Sequence, residues 1–210
     1  MEDDTPLPRL TPKSMEQVAA MRKSEIDWHV IEACRQGDRA AFQLFFEAYK
    51  DRVYSIALHF TCDESAALDV SQQVFLKLFT AIKSFRQDSQ ITTWLYRIVA
   101  NACMDERRRS RRFVPLDREG EAPGMSSKGS QEDNLMRRQL ADSVRAAIAD
   151  LSPKLRLPVL LKYIEGLSYE EIAESLGVSM GTVASRLNRG HKALARKLAH
   201  LRDELGSGGF

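Results

Sequence analysis

The sequence predicts an all-α protein: two small helical domains joined by a flexible linker, the second containing a helix-turn-helix. Three observations predict it. Apolar residues recur at the i, i+3, i+4, i+7 spacing of a helix face in both halves of the chain. No sustained apolar–polar alternation of period two occurs, so strands are not expected. Residues 113–134 carry Pro115, Gly120, Pro123, Gly124, Ser126, Ser127, Gly129 and Ser130 without apolar periodicity, which is linker composition. A stretch of that length is too long for a loop inside one compact domain.

Residues 1–25 hold three prolines and mixed charge, and read as a mobile arm. The first domain is expected over residues 26–112. Phe42, Phe45, Phe46, Tyr49, Val53, Ile56, Ala57 and Phe60 form one stripe, most simply a core face. Val70, Val74, Phe75, Leu78, Phe79 and Ile82 form a second, and Trp94, Leu95, Ile98, Val99 and Ala102 a third. Trp94 and Tyr96 cannot both face one core, because i and i+2 point about 200° apart on a helix. One of them is expected near the surface, where an aromatic beside arginines suits stacking on unpaired bases. A core Trp94 with a half-buried Tyr96 is the alternative. Residues 97–112 hold six arginines and two acids, ending in Arg107-Arg-Arg-Ser-Arg-Arg112. Cations there also favour the helix macrodipole, so part of the cluster can be structural.

The second domain is expected over 135–203, with a frayed tail at 204–210. Leu140, Val144, Ala147, Ile148 and Leu151 resume the helical period. Ser152 and Pro153 read as an N-cap and first helical residue. Pro158 falls inside an apolar run and predicts a kink or a late helix start. Ser168-Tyr-Glu-Glu171 is a capping box. The short helix after it carries Ile172, Ala173 and Leu176, and Gly177 is its stop. Val178 fills the turn, Ser179 caps the next helix, and Val183, Leu187 and Leu194 continue a buried face. Helix, glycine turn and helix make a helix-turn-helix unit. Its outer face offers Thr182, Ser185, Arg186, Arg189 and Lys192, and residues 182–202 contain six Lys/Arg and no acid. That pattern fits a helix in the DNA major groove, with Arg on guanine and Ser or Thr on bases or phosphates. A solvated basic helix in a small bundle is the plainer alternative.

Charge and composition exclude other classes. The 210 residues carry 31 Lys+Arg against 29 Asp+Glu, a net +2. The two basic segments therefore sit on an acidic remainder, which suits a protein with two DNA-facing helices. No apolar run approaches the ~20 residues of a membrane span, and the acidic Met1-Glu2-Asp3-Asp4 start is unlike a signal peptide. Cys34, Cys62 and Cys103 lie too far apart for a disulfide framework or a CxxC pair, so reduced thiols in a cytoplasmic protein are expected. His29, His59, His191 and His200 lack metal-ligand spacing, and no phosphate loop or nucleophile elbow occurs. No catalytic residue, metal or cofactor is expected. A stand-alone helix-turn-helix regulator and a recombinase-like enzyme are the rivals. The aromatic and arginine-rich first domain disfavours the former. The all-helical reading of that domain disfavours the latter.

Two segments resemble the extracytoplasmic-function (ECF) sigma factors, the small sigma subunits of bacterial RNA polymerase. One is Asp69-Val-Ser-Gln-Gln-Val-Phe-Leu-Lys-Leu-Phe79, followed by Thr93-Trp-Leu-Tyr-Arg-Ile-Val-Ala-Asn101 and the arginine run. The other runs from Leu151-Ser-Pro through Ser168-Tyr-Glu-Glu-Ile-Ala-Glu-Ser-Leu-Gly-Val-Ser-Met-Gly-Thr-Val-Ala-Ser-Arg-Leu-Asn-Arg189. The resemblance implies a non-enzymatic initiation factor. Its first domain would bind the polymerase clamp through Asp69, Gln72, Gln73, Phe75 and Lys77. The same domain would bind the single-stranded −10 element through the 83–93 loop and Phe85, Thr92, Trp94, Arg97, Asn101 and Arg108. Its second domain would bind the polymerase flap, and the −35 duplex through Gly181, Thr182, Ser185, Arg186, Arg189 and Lys192. It also implies an anti-sigma factor as a further partner and no stable membrane association. Three positions depart from the family pattern. Gln73 stands where glutamate is common and Ala184 where lysine is frequent. Asn188-Arg-Gly-His191 includes a helix-weakening glycine, at about 1 kcal/mol.

Overall fold

The structure is a computed structural model that describes residues 26–85, 89–113 and 131–199, with side chains for 26–85, 89–110 and 139–199. The expected arm, most of the expected linker and the expected tail lie outside the described residues. Eight α-helices follow one another in the described residues: α1 (Trp28–Gln36), α2 (Arg39–Thr61), α3 (Glu64–Ala81), α4 (Ile91–Phe113), α5 (Gln131–Ala149), α6 (Pro153–Tyr163), α7 (Tyr169–Leu176) and α8 (Met180–Lys197). A 3-10 turn, Ile82–Ser84, follows α3, and no strand occurs among the described residues.

Local chemistry sets the helix ends. Asp27 accepts from the His29 amide at 2.9 Å and starts α1. Gly37 ends that helix at φ 92, a conformation that glycine adopts without steric cost. Asp38 then caps α2 through the amides of Ala40 (2.8 Å) and Ala41 (3.2 Å). The α2–α3 corner is tighter. Cys62 sits at φ 57, the one left-handed non-glycine among the described residues, and Asp63 caps α3 through Ala66 at 2.7 Å.

The first half packs α2, α3 and α4 around Phe45, Tyr49, Val53, Ile56, Ala57, Val70, Val74, Leu78, Leu95, Val99 and Cys103, all buried. All but Cys103 are residues that helical periodicity selected. The edges of the stripes differ from the expectation: Phe46 is half-open, and Phe79 is 45% exposed although both lay in the apolar pattern. They flank the core, where the ring of Phe79 meets Phe42 edge-on at 5.0 Å. Leu140 likewise lies on the outside of α5.

In the second half, α6, α7 and α8 enclose Leu157, Leu160, Leu161, Ile172, Val183 and Leu187. The helix α6 starts at Pro153, as the Ser-Pro pair predicts, but the Ser152 side chain makes no capping bond. It continues through Pro158, whose ring is buried. One intrahelical hydrogen bond is lost there, and burial of the apolar ring offsets the loss.

The two helical halves that the sequence predicts meet in the described residues along one continuous apolar core. The helix α4 lies against α7, and α2 lies against α6. Gly190 also receives a different explanation. It is buried in α8, and a Cβ there would stand 2.9 Å from Val159 Cγ2. The glycine permits close approach of α8 to α6 and is not merely a weak point in a helix. Gly190→Ala is therefore expected to lower the thermal midpoint despite its better helix propensity, by about 1–3 kcal/mol of overpacking. Combining it with Val159→Ala should recover part of the loss in a double-mutant cycle followed by circular dichroism.

Candidate nucleic-acid interface

The helix-turn-helix is assembled by short-range bonds. The Glu171 amide donates to Ser168 Oγ at 3.1 Å, and the Ser168 amide donates back to Glu171 Oε2 at 2.6 Å. Both halves of the predicted capping box are thus formed. Gly177 ends α7 at φ 62, and the Val178 amide donates to the Ala173 carbonyl at 3.0 Å. Ser179 Oγ accepts the Thr182 amide at 3.2 Å and starts α8. Buried Ile172, Val183 and Leu187 fix the angle between the two helices.

The outer face of α8 exposes Gly181, Ala184, Ser185, Asn188, Arg189 and Lys192. Thr182 is half-buried at its start. Ser185 Oγ donates to the Thr182 carbonyl at 3.0 Å, and Arg189 Nε to the Ser185 carbonyl at 3.3 Å. Arg189 therefore leans along the exposed stripe with the rest of its guanidinium outward. Arg186 sits differently. It is half-buried at the edge of the stripe and lines a cleft of about 170 Å³ with Asn101, Met104, Pro153, Leu157 and Val178. Asn188 and Met180 are also exposed on α8 but are absent from the site residues the sequence singled out. Asn188 stands i+3 from Ser185, a spacing that could have revealed it.

On α4, Trp94 is half-buried, with its ring 5.1 Å from that of Phe85. Phe85 itself is buried and supports Trp94 from below. Tyr96 is the deeply buried aromatic of the pair, at 2% exposure. Its hydroxyl donates to Glu165 Oε2 of the second half. Burial and the adjacent carboxylate hold that hydroxyl far above the usual phenol range, so it stays protonated. Thr92 is half-buried, and Arg97, Asn101 and Arg108 are exposed along α4. Arg97 Nη2 donates to the Glu174 carbonyl at 3.2 Å and lies 3.7 Å from the Glu174 carboxylate. Arg108 pairs with Asp105 at 3.2 Å, an exposed contact of little strength. The expected 83–93 loop lies partly outside the described residues, at 86–88.

The expected clamp residues fall on α3. Asp69, Gln72 and Lys77 are exposed and Gln73 is half-buried. Phe75 is only 9% exposed and packs edge-on against Phe46 at 4.7 Å, so it holds the helix in place more than it presents a contact. The exposed apolar residues of this helix are Leu68, Leu76 and Phe79, which the sequence reading did not assign to the surface. Among the described residues no group of three or more His, Cys, Asp or Glu could hold a metal ion, and no helix is long and apolar enough to cross a membrane. Burial pushes the Cys103 thiol up to about 12, leaving it a protonated core residue.

Fold and surface together define a helical DNA-binding protein: a helix-turn-helix with a basic outer helix, joined to a helical half whose long α4 carries aromatic and arginine residues. Comparison with known proteins narrows the class. Residues 45–113 match the Sigma-70 region 2 family, and residues 141–194 match Sigma-70, region 4. The ECF RNA polymerase sigma factor SigW of Bacillus subtilis strain 168 is 32% identical over 179 residues, covering 81% of this chain and 96% of that protein. The ECF RNA polymerase sigma-E factor of Escherichia coli K12 is 33% identical over 189 residues, covering 86% and 98%. Two solved structures share the fold. The sigma factor RpoE of Bartonella quintana, in complex with the anti-sigma factor NepR, aligns at TM-score 0.61 and 22% identity, over 75% of this chain and 96% of that one. CnrH, in complex with the cytosolic domain of CnrY, aligns at TM-score 0.62 and 24% identity, over 81% and 96%. The chain belongs to the ECF sigma factors of RNA polymerase, a family of transcription initiation factors.

The capping box gives a direct test of how the site is held. Ser168→Ala is expected to cost about 1 kcal/mol of stability. A double-mutant cycle with Glu171→Ala by denaturant unfolding should show the two losses to be less than additive.

Proposed function

We propose that the chain binds core RNA polymerase, recognises −35 and −10 promoter elements, and promotes DNA opening, without chemistry of its own. The observation that carries this reading is the pairing of a region 2 match on α2–α4 with a region 4 match on the basic helix-turn-helix. Residues 26–112 form the polymerase- and −10-binding unit, residues 113–134 the connection, and residues 135–203 the −35-binding unit. The polymerase supplies the metal and the bond-forming steps. The protein acts in the cytoplasm, where polymerase and DNA are.

The residues divide by chemistry. On α8, Ser185, Arg186, Arg189 and Lys192 offer donors to base edges and phosphates, and Gly181 and Thr182 bring the helix start close to the backbone. On α4, Trp94 offers an aromatic face, and Arg97, Asn101 and Arg108 offer donors, which is what unpaired −10 bases and their phosphates need. Asp69, Gln72, Gln73 and Lys77 meet the clamp, with Phe75 behind them. Separately each DNA site is modest. Held on one polymerase, the second engagement becomes intramolecular and gains through effective concentration. Capturing unstacked bases then offsets a few kcal/mol of unpairing. RpoE is seen in complex with the anti-sigma factor NepR, and CnrH in complex with the cytosolic domain of CnrY. A partner of the anti-sigma type is proposed for this chain on that likeness.

Run-off transcription with purified core polymerase on genomic templates tests the reading. Promoter-specific initiation is expected, and its absence from every template would overturn it. Arg186→Ala should cost about 1–3 kcal/mol confined to one −35 position if Arg186 reads a base. A uniform loss across sequences would make it a phosphate contact. Trp94→Ala should impair strand opening, followed by permanganate reactivity, more than duplex binding. Equal loss of both would assign Trp94 to packing on Phe85.

A further inference from the structure

We infer that His191, which stands outside the residues assigned to DNA so far, is a further backbone contact of the second half: oriented by Tyr163, it meets a DNA phosphate and holds it more tightly once protonated. This rests on the function proposed above. His191 lies in the C-terminal half of α8 and is half-buried. Its Nε2 stands 2.8 Å from the hydroxyl of Tyr163 on α6, and the two rings meet edge-on at 5.5 Å. A phenol is the stronger acid and an imidazole nitrogen the stronger base, so the bond runs from O–H to N. Burial, and after it neighbouring Tyr169, hold the Tyr163 hydroxyl above the ordinary phenol range, so it keeps the proton that it donates. The neutral imidazole then carries its own proton on Nδ1. Tyr163 thus fixes both the ring plane and the tautomer, and leaves Nδ1–H for an acceptor outside the protein.

The position of the ring selects the acceptor. His191 stands about 20° from the line through Met180 and Ala184, and about 60° from Asn188. Those three residues are exposed, so the ring lies on a flank of the outer face, about one turn beyond Asn188. A helix about 10–12 Å across nearly fills a major groove about 12 Å wide, so its flanks meet the phosphate walls. The first turns of such a helix reach base edges, and the later ones ride along the backbone. The charges around the ring leave room for an anion. Burial sets the imidazole below the usual histidine value, and no carboxylate contributes. On α8 its neighbours are the cations Arg189 and Lys192. On α6, Lys162 is turned to the Leu167 carbonyl at 3.0 Å and to the Tyr169 ring. On α7, Glu171 is bonded to the Ser168 amide and Glu174 faces Arg97. On α5, Asp150 is held by Lys197, further along α8. A neutral Nδ1–H gives a phosphate one ordinary hydrogen bond, and an imidazolium gives a charge-assisted one. An adjacent phosphate favours the charged ring, so the complex takes up a proton. Binding therefore tightens as the pH falls toward the value at which the free ring titrates.

The test uses the full chain and a fluorescein-labelled DNA duplex of random sequence, about 30 base pairs long, because a phosphate contact does not depend on the bases. Anisotropy is followed at about pH 6 and about pH 8, over a salt series from about 50 to about 200 mM. The wild type is expected to bind about fivefold more tightly at the lower pH. Its slope of log K against log salt should be steeper there by up to about 0.9, the release of one further counterion. His191→Gln keeps a polar side chain without a titrating ring, and is expected to remove the larger part of both differences. Tyr163→Phe deletes the bond that favours the neutral ring. It should raise the pH at which free His191 titrates and shrink the gain to about twofold or less. Histidine side-chain NMR of the wild type is the independent measure: His191 should titrate at higher pH with the duplex than without it. Equal pH and salt dependence in the wild type and His191→Gln overturns the inference. So does a His191 titration that the duplex leaves unmoved, or no duplex binding at the lowest salt. If a variant loses helical circular dichroism, the wild-type NMR titration decides alone. Failure of run-off transcription would overturn the sigma function itself, whereas these measurements involve no polymerase and bear only on His191.

Discussion

A buried hydrogen bond between Tyr96 and Glu165 sets where the second half of the chain sits. A carboxylate removed from water is costly unless its oxygens are paired, and a phenol hydroxyl in a core needs an acceptor. Each group resolves the other's problem only when α4 and the segment before α7 lie side by side. The apolar residues around them then form one core in place of two. Burial drives that contact, but apolar surface is tolerant of sliding and rotation. The polar pair, together with Ser175 on the Thr93 carbonyl and Arg156 on the Phe60 carbonyl, selects one arrangement.

That arrangement makes α4 a two-sided element. Residues on one side of it build the core of the first half: Leu95, Val99, Ala102 and Cys103. Arg97 and Asn101 lie on the other side, and there they meet the second half. The helix-turn-helix is built differently. Its geometry comes from contacts within three or four residues: the capping box, the left-handed Gly177 and the Ser179 cap. A unit of that kind can keep its shape while its surroundings change, because few of its determinants lie elsewhere.

This difference explains what could be read from the sequence. Caps, glycine stops and core stripes follow from short-range rules, and Ser168–Glu171, Gly177, Val183 and Leu187 stand where those rules put them. Periodicity could say that Trp94 and Tyr96 face opposite ways but not which one meets a core. The deciding group, Glu165, is far away in sequence. Phe75 and Phe79 show the same limit, since both fit an apolar stripe but only tertiary contacts decide which is covered. Arg186 belongs to the outer helix by sequence and to a cleft by structure. Gly190 was legible only as a weak helix former, because the methyl that would collide with a side chain there belongs to Val159 on another helix.

The close approach at Gly190 also aims the outer face of α8. Successive residues advance about 100° around a helix, so Asn188 points about 200° away from Gly190. Pressing the bare backbone at Gly190 onto Val159 therefore turns Asn188, with Ser185 and Arg189 at its sides, away from the protein. A bulkier residue at 190 would do more than loosen packing: it would tilt or roll the helix and swing the same three side chains off their line. A buried glycine in α8, pressed against α6, thus sets the line along which Ser185, Asn188 and Arg189 stand out from the protein.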